Sequence, residues 1–370
     1  MRYFDRMPAR KPDGNLKRGW TTGACATAAT AAAYEALVTG SFPDAVTITL
    51  PRGEEPTFAL CRTGLENGAA TAAVIKDAGD DPDVTHGAEV SVTLRAGPKG
   101  SGVTFRAGAG VGTVTLPGLP VPPGEPAINP GPRGMMTGVV RDLSHRLNGP
   151  PDVEITVAIT DGARLAEKTM NGRLGIVGGL SVLGTTGVVI PYSCSSWIHA
   201  IHRGVDVARA NGVAHIAAAT GSTSEQAVRN IYDLPDVALI DMGDFAGGLL
   251  KYLRRHPVPK LTLAGGFGKL AKLSQGHLDL HSARSSLDRA KLAALAADDP
   301  ALADRIKGAN TGMEALTLAR AAGLPLADRV AQGAREVALA ALAGDVEVEV
   351  LAFDRQGQLV GRAGDVAAGG

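Results

Sequence analysis

Residues 214–272 read AHIAAATGSTSEQAVRNIYDLPDVALIDMGDFAGGLLKYLRRHPVPKLTLAGGFGKLAK, and this stretch decides the fold of the second half of the chain. Short apolar runs at 214–218, 237–240 and 260–263 alternate with helix signals that start near Ser224, Phe245 and Gly268. Strands this short and apolar, separated by helices, belong to a parallel sheet covered on both faces. The expectation is a Rossmann-like three-layer α/β domain whose ligands bind beyond the carboxyl ends of the strands. A helix over 195–211 precedes the stretch. Alanine-rich helix follows Leu287, and a closing hairpin is expected at 345–353 and 358–360.

Working back toward the N-terminus, the pattern changes. An alanine-rich helix runs from Thr21-Thr22-Gly23 to Leu37 and stops at Gly40. Strand signals follow at 45–50, 57–60, 70–75, 89–94 and 103–106. The run GAGVGTVTLPGLPVPPGEPAINPGPR, residues 108–133, is too proline-rich for a central strand and too apolar for a linker. It reads as an ordered extended segment with hairpin character, leading to a helix over 134–147 and a strand over 153–159. Many strands for few helices indicate an α+β layer. The expected division is an α+β domain at 1–165, an α/β domain at 166–341 and a C-terminal hairpin and tail at 342–370. The first eighteen residues read as a loose arm.

Composition narrows the function. Lys+Arg and Asp+Glu both number 37, which argues against a general nucleic-acid binder. Aromatics are 4% of the chain, too few for base-stacking platforms. There is no apolar run of membrane-spanning length and no signal-peptide pattern, so a cytoplasmic location and no membrane partner are expected. Cys25, Cys61 and Cys194 show neither disulfide nor metal-ligand spacing, and His199, His202, His277 and His281 lack an HExxH context. No metal site is expected.

Chemistry then falls to the loops. Gly221, Ser222, Thr223, Ser224 and Glu225 follow the first strand of the parallel sheet and open a helix, where amides and hydroxyls can hold a carboxylate or phosphate. A plain capping box explains the same residues. Asp241 after the second strand could accept hydrogen bonds from ribose hydroxyls, while Asp244 reads as a helix N-cap. Gly265 and Gly266 allow close backbone approach after the third strand, and Lys269 adds a positive charge. GGFGK is not a P-loop, and GIVGG at 175–179 is not GxGxxG. Residues 175–193 read as a long functional loop between domains or a glycine-rich hairpin. Asp77, Asp80, Asp81, Asp83 and His86 form the densest polar cluster, readable as a cation or base site or as a self-capping acidic turn. Cys25 at its helix start reads first as a buried small residue.

Five stretches together resemble the CbiD family: LKRGWTTGACATAATAA from Leu16, VIKDAGDDPDVTHGAEV from Val74, the 108–133 run, GRLGIVGGLSVLGTTGVVIPYS from Gly172, and LAGGFGKLAKLSQGHLDLHS from Leu263. The likeness spans roughly 16–318. It implies transfer of a methyl group from S-adenosylmethionine to C1 of cobalt-precorrin-5B, giving cobalt-precorrin-6A in the anaerobic, early-cobalt route to cobalamin. Cobalt would enter only as part of the tetrapyrrole substrate. On this resemblance the 221–225 start, Asp241, Gly265 and Gly266 are assigned to the methyl donor. Arg18, Thr21, Thr22, Asn129, Arg133, Arg173, Thr185, Thr186 and Lys269 are assigned to the carboxylate-rich ring. Asp80, Asp81 and His86 are assigned to catalysis. A homo-oligomer, or transient contact with neighbouring pathway enzymes, is compatible with this reading. The competing readings are a nucleotide-dependent oxidoreductase and a non-catalytic tetrapyrrole carrier.

Overall fold

A computed structural model describes residues 14–364; the reading of the first thirteen residues falls outside them. The chain divides into two compact units, Met1–Ser193 and Cys194–Gly370.

The first unit sets helices α1 (Thr22–Thr39) and α2 (Pro130–Leu147) on a five-stranded sheet. Its strands are β1 (Arg62–Glu66), β2 (Ala69–Ile75), β3 (Glu89–Ala96), β4 (Val103–Ala107) and β5 (Val153–Ile159), in the order β1-β2-β3-β5-β4. Neighbours are antiparallel except β4 and β5. Alternation places Ala70, Ala72, Val74, Val90, Val92, Leu94, Val153, Ile155 and Val157 in the core beneath α1 and α2. Nearly all of α1 is buried, and its small side chains let it lie close to both the sheet and α2. The hydroxyls of Thr27 and Thr30 donate to Gly23 and Ala26 carbonyls one turn back, so these buried polar groups are satisfied.

Several expectations shift here. The helix expected at 134 begins at Pro130, because proline is tolerated in a first turn that has no partner for its missing N–H. Strand β1 was not expected; it is an exposed edge without an apolar face. The N-terminal arm is pinned from Lys17 onward: Gly19–Trp20 pair with Val188–Val189, and Trp20 N donates to Asp77 O at 2.7 Å. Residues 166–193 belong to the first unit and do not link two domains. Ile176–Val177 pair with Thr113–Val114, and Val182 N donates to Ala127 O. The boundary therefore follows Ser193, not residue 165.

The second unit opens with α3 (Cys194–Ala210) and builds a sheet from β6 (His215–Ala219), β7 (Leu239–Asp241), β8 (Lys260–Gly266), β9 (Glu347–Phe353) and β10 (Leu359–Ala363). The order is β7-β6-β8-β9-β10, with the first four parallel and β10 antiparallel. Helix α4 (Ser222–Ile231) lies on one face over Ala217, Ala219 and Ala264. Helices α3, α5 (Ala246–Leu253), α6 (Phe267–Ser274) and α7 (Leu326–Leu342) pack the other face over Ile216, Ala218, Leu261 and Leu263. The three-layer expectation holds. The closing hairpin is not a separate segment, because β9 runs parallel to β8 and completes the sheet. In chain order the strands lie 2-1-3-4-5. The winding direction reverses between β6 and β8, which is where open α/β sheets bind ligands.

Candidate active site

Three loops meet at the carboxyl ends of β7, β6 and β8. After β6, Thr220 N donates to Ala264 O at 2.9 Å, which carries the chain along β8 for one more residue. Gly221 is the N-cap of α4 and supplies no side-chain cap. The capping box does not form, because the helix already starts at Ser222. Ser224 Oγ donates back to Gly221 O at 2.9 Å. Glu225, assigned above to the donor, is buried and lies 3.6 Å from Arg229, so its carboxylate serves the helix. The α4 start is left with its dipole and uncapped amides facing the crevice.

Space at the glycines supports a ligand here. A Cβ placed on Gly221 or Gly266 would meet nothing within 4 Å, whereas one on Gly265 would lie 2.9 Å from the Thr220 methyl. Gly265 therefore seats Thr220, and Gly221 and Gly266 leave the mouth open. After β7, Met242 N donates to Ala219 O at 3.0 Å. Gly243 adopts a left-handed φ of 53°, and a Cβ there would strike the Trp197 ring at 2.3 Å. The same indole donates from Nε1 to Asp241 O at 3.1 Å. Asp241 thus ends its strand beside Ala219, next to the α4 start. Lys269 Nζ donates to Thr220 O at 2.7 Å and sits 3.1 Å from Asp244 Oδ1. The expected N-cap role of Asp244 passes to Phe245.

The first unit gathers a second constellation at the starts of α1 and α2. Thr21 Oγ1 caps Ala24 N at 3.1 Å, Thr21 N donates to Gly187 O, and Gly23 N donates to Leu183 O. Asn129, the N-cap of α2, donates its amide to Val182 O and leaves its side chain out of the cap. A Cβ on Gly131 would lie 3.1 Å from Thr185 Cα, and one on Gly184 would lie 2.3 Å from Thr21 Oγ1. Thr21, Thr22, Asn129, Thr185 and Thr186 are therefore neighbours, with the exposed Arg18 just before them. Arg133 is not free to join them. Its guanidinium bonds Ile128 O and Pro126 O, pairs with Glu125 at 3.1 Å and covers the Phe105 ring, so it fastens the proline-rich strap. Arg173 lies in the short Gly172–Leu174 helix, which leads into Ile176–Val177.

The polar segment at 76–86 is mostly a clamp. Asp80 accepts from Lys17 N at 2.6 Å, Asp81 from Tyr192 N at 2.8 Å, and Asp77 from Lys17 Nζ at 2.6 Å. The Lys17 hydrogen bond, then the Gly79 amide, hold Asp77 below the usual carboxylate range. His86 Nδ1 accepts from Ala78 N at 3.1 Å, which places the ring proton on Nε2. The ring itself is exposed. Beneath them the buried Lys76 donates to Asp83 at 2.5 Å. Burial pushes Asp83 up, but Lys76 and Thr85 outweigh it and hold the carboxyl below its ordinary value. Sequence reasoning gave no role to Lys17, although it lies in the LKRGW stretch, or to Trp197, which lies in none of the quoted stretches; only the fold brings them to these loops.

The family model described as CbiD matches residues 9–191, and the one described as CbiD, C-terminal domain, matches 279–364. Proteins named cobalt-precorrin-5B C(1)-methyltransferase are close in sequence. The one from Brucella anthropi is 57% identical over 351 residues, covering 94% of this chain and 95% of that protein. The one from Halorhodospira halophila is 59% identical over 353 residues, again covering 94% and 95%. The crystal structure of a cobalamin biosynthesis protein (cbiD) from Archaeoglobus fulgidus is similar at 26% identity with a TM-score of 0.39, covering 74% of this chain and 84% of that one.

Proposed function

The chain belongs to the CbiD family, and from that premise we propose that it methylates C1 of cobalt-precorrin-5B with S-adenosylmethionine, giving cobalt-precorrin-6A. The relatives' shared name supports the acceptor and the position. The observation that supports a nucleoside-bearing donor is the convergence of three loops at the point where the sheet's winding reverses.

In this reading the uncapped start of α4 at Gly221–Thr223 takes the donor's methionine carboxylate. Asp241 takes the ribose hydroxyls, and the open faces of Gly221 and Gly266 let the backbone come close. The donor supplies an electrophilic methyl, and the electron-rich macrocycle is the nucleophile, so no covalent enzyme intermediate is needed. Thr21, Thr22, Asn129, Thr185, Thr186 and Arg18 bind ring carboxylates at the two helix starts. Arg173 remains a candidate for the same role. Cobalt arrives as part of the substrate.

Among the three catalytic candidates, Asp80 and Asp81 hold backbone amides, while His86 is exposed and is engaged at Nδ1 by Ala78 N. We assign the handling of a proton to His86 and a positioning role to the two aspartates. His86→Gln is expected to lower kcat by about 10²-fold with little change in either KM. Equal kcat in the two proteins would remove His86 from the mechanism.

The function itself is tested by incubating the protein with cobalt-precorrin-5B and methyl-labelled donor and following mass. Gain of one labelled methyl is the expected result. Calorimetric binding of NADPH but not of S-adenosylhomocysteine would instead favour an oxidoreductase, and ring binding without methyl gain a carrier.

A further inference from the structure

Lys269 follows the glycine pair of β8, where a lysine is most simply read as an anchor for an anionic ligand. Its contacts point elsewhere. From the first turn of α6 its ammonium reaches Thr220 O, at the end of β6, at 2.7 Å. It also reaches Asp244 Oδ1, in the loop after β7, at 3.1 Å. One side chain thus connects the segments that follow all three strands at the switch point.

The chemistry of the pair makes the connection strong. Asp244 Oδ1 is buried and accepts no hydrogen bond of good geometry within the protein, so Lys269 is the charge that compensates it. A carboxylate removed from water without such a cation is expensive, which ties the loop's position to the lysine's. The second loop is held on its other side by Trp197, through the indole bond to Asp241 O and the contact with Gly243. The first loop is seated by Gly265 against Thr220. The backbone adds Thr220 N to Ala264 O in the first loop, and Met242 N to Ala219 O and Leu280 N to Asp244 O in the second, but Lys269 is the side chain that bonds to both loops.

We propose that Lys269 is a positioning residue, paired with Asp244, that clamps the three loops into the shape that receives the methyl donor, and that it does not bind the tetrapyrrole. The proposal rests on the reading that the donor occupies this end of the sheet. It assigns Asp244 a role in the site, and it moves Lys269 from the ring-binding set to the donor side.

The test uses the full chain with Lys269→Met and, as an isosteric second variant in case the first does not fold, Asp244→Asn. Amide hydrogen exchange at Thr220 and Met242, measured without ligand, is expected to rise about tenfold or more in each variant, the scale of losing one charge-assisted bond. S-adenosylhomocysteine affinity should fall about tenfold and the donor KM rise to match, while the tetrapyrrole KM moves less than about twofold. Unchanged exchange with weakened donor binding would overturn the clamp and make Lys269 a donor ligand. A raised tetrapyrrole KM with unmoved donor binding would also overturn it, in favour of an anion anchor. Faster exchange with unchanged affinity for S-adenosylhomocysteine would sustain the clamp and sink the donor-site reading instead.

Discussion

Lys76 is fully buried and has Asp83 as its counter-charge, and the acidic turn above it depends on that pair. Removing the cation alone leaves a carboxylate in a site that would otherwise raise its pKa. Lys76→Met should therefore lower stability by about 3 kcal/mol, measured by chemical denaturation at neutral pH. The effect has a pH signature. The folded Asp83 carboxyl titrates below its unfolded counterpart, so its stabilisation is full above the unfolded value of about 4 and drains as pH falls through the folded value. The gap between wild type and variant should accordingly narrow as pH falls. Narrowing starts above about pH 4, where the uncompensated carboxyl of the variant takes up its proton first, and continues down through the folded wild-type value. A gap that stays constant to pH 2 would show that Asp83 is not the partner that matters. The aspartate cluster and its capping turns were legible in the sequence, since Asp77 and Asp83 accept from the Gly79 and Thr85 amides two residues on, but its distant partners were not. Asp77, Asp80 and Asp81 look alike as letters, and only the approach of Lys17 and Tyr192 assigns each of them a distant bond.

Among the elements, the glycine-rich run at 108–112 has its explanation in backbone packing. Gly110 has a left-handed φ of 78°, and a Cβ on it would lie 2.1 Å from Ile159 O. Cβ atoms on Gly162 and Gly179 would lie 2.2 and 2.3 Å from Gly110 O. Three segments distant in sequence thus meet with no side chain between them, beside the Leu180 N bond to Gly110 O. Gly179→Ala should cost about 3 kcal/mol, read as a lowered denaturation midpoint with an unchanged slope. An unshifted midpoint would mean that the strap has room to give. In the second unit, Glu349 on β9 is buried and accepts from Tyr232 and Thr262 at 2.6 and 3.0 Å while pairing with Arg362 of β10. This network fixes the antiparallel edge strand to the parallel sheet. Most helices and strands were legible from periodicity, because burial on one or two faces imposes it. Strand β1 was not, since an exposed edge imposes no apolar pattern.

At the scale of the whole molecule, each unit has its own apolar core, one built around α1 and the mixed sheet and the other around the parallel sheet. Separate cores predict more than one thermal transition, and a ligand stabilises only the unit that binds it. S-adenosylhomocysteine at about a hundred times its Kd should raise the second unit's transition by roughly 5–10 °C and leave the other in place. Calorimetry of the intact chain tests this, and a shift confined to the first unit's transition would place the donor there. The boundary between units was misread from sequence because 166–193 is rich in glycine and resembles a linker. It is an integral layer of the first unit, since its strands pair with residues 19–20 and 113–114. The sequence by itself determined the class of each half, the parallel sheet of the second half and the family likeness, because strand–helix periodicity and long motifs are local properties. Only the tertiary structure decided which loops adjoin. Contact between Lys269, Thr220 and Asp244 depends on strand order, and strand order is set by which faces pack, not by neighbours along the chain.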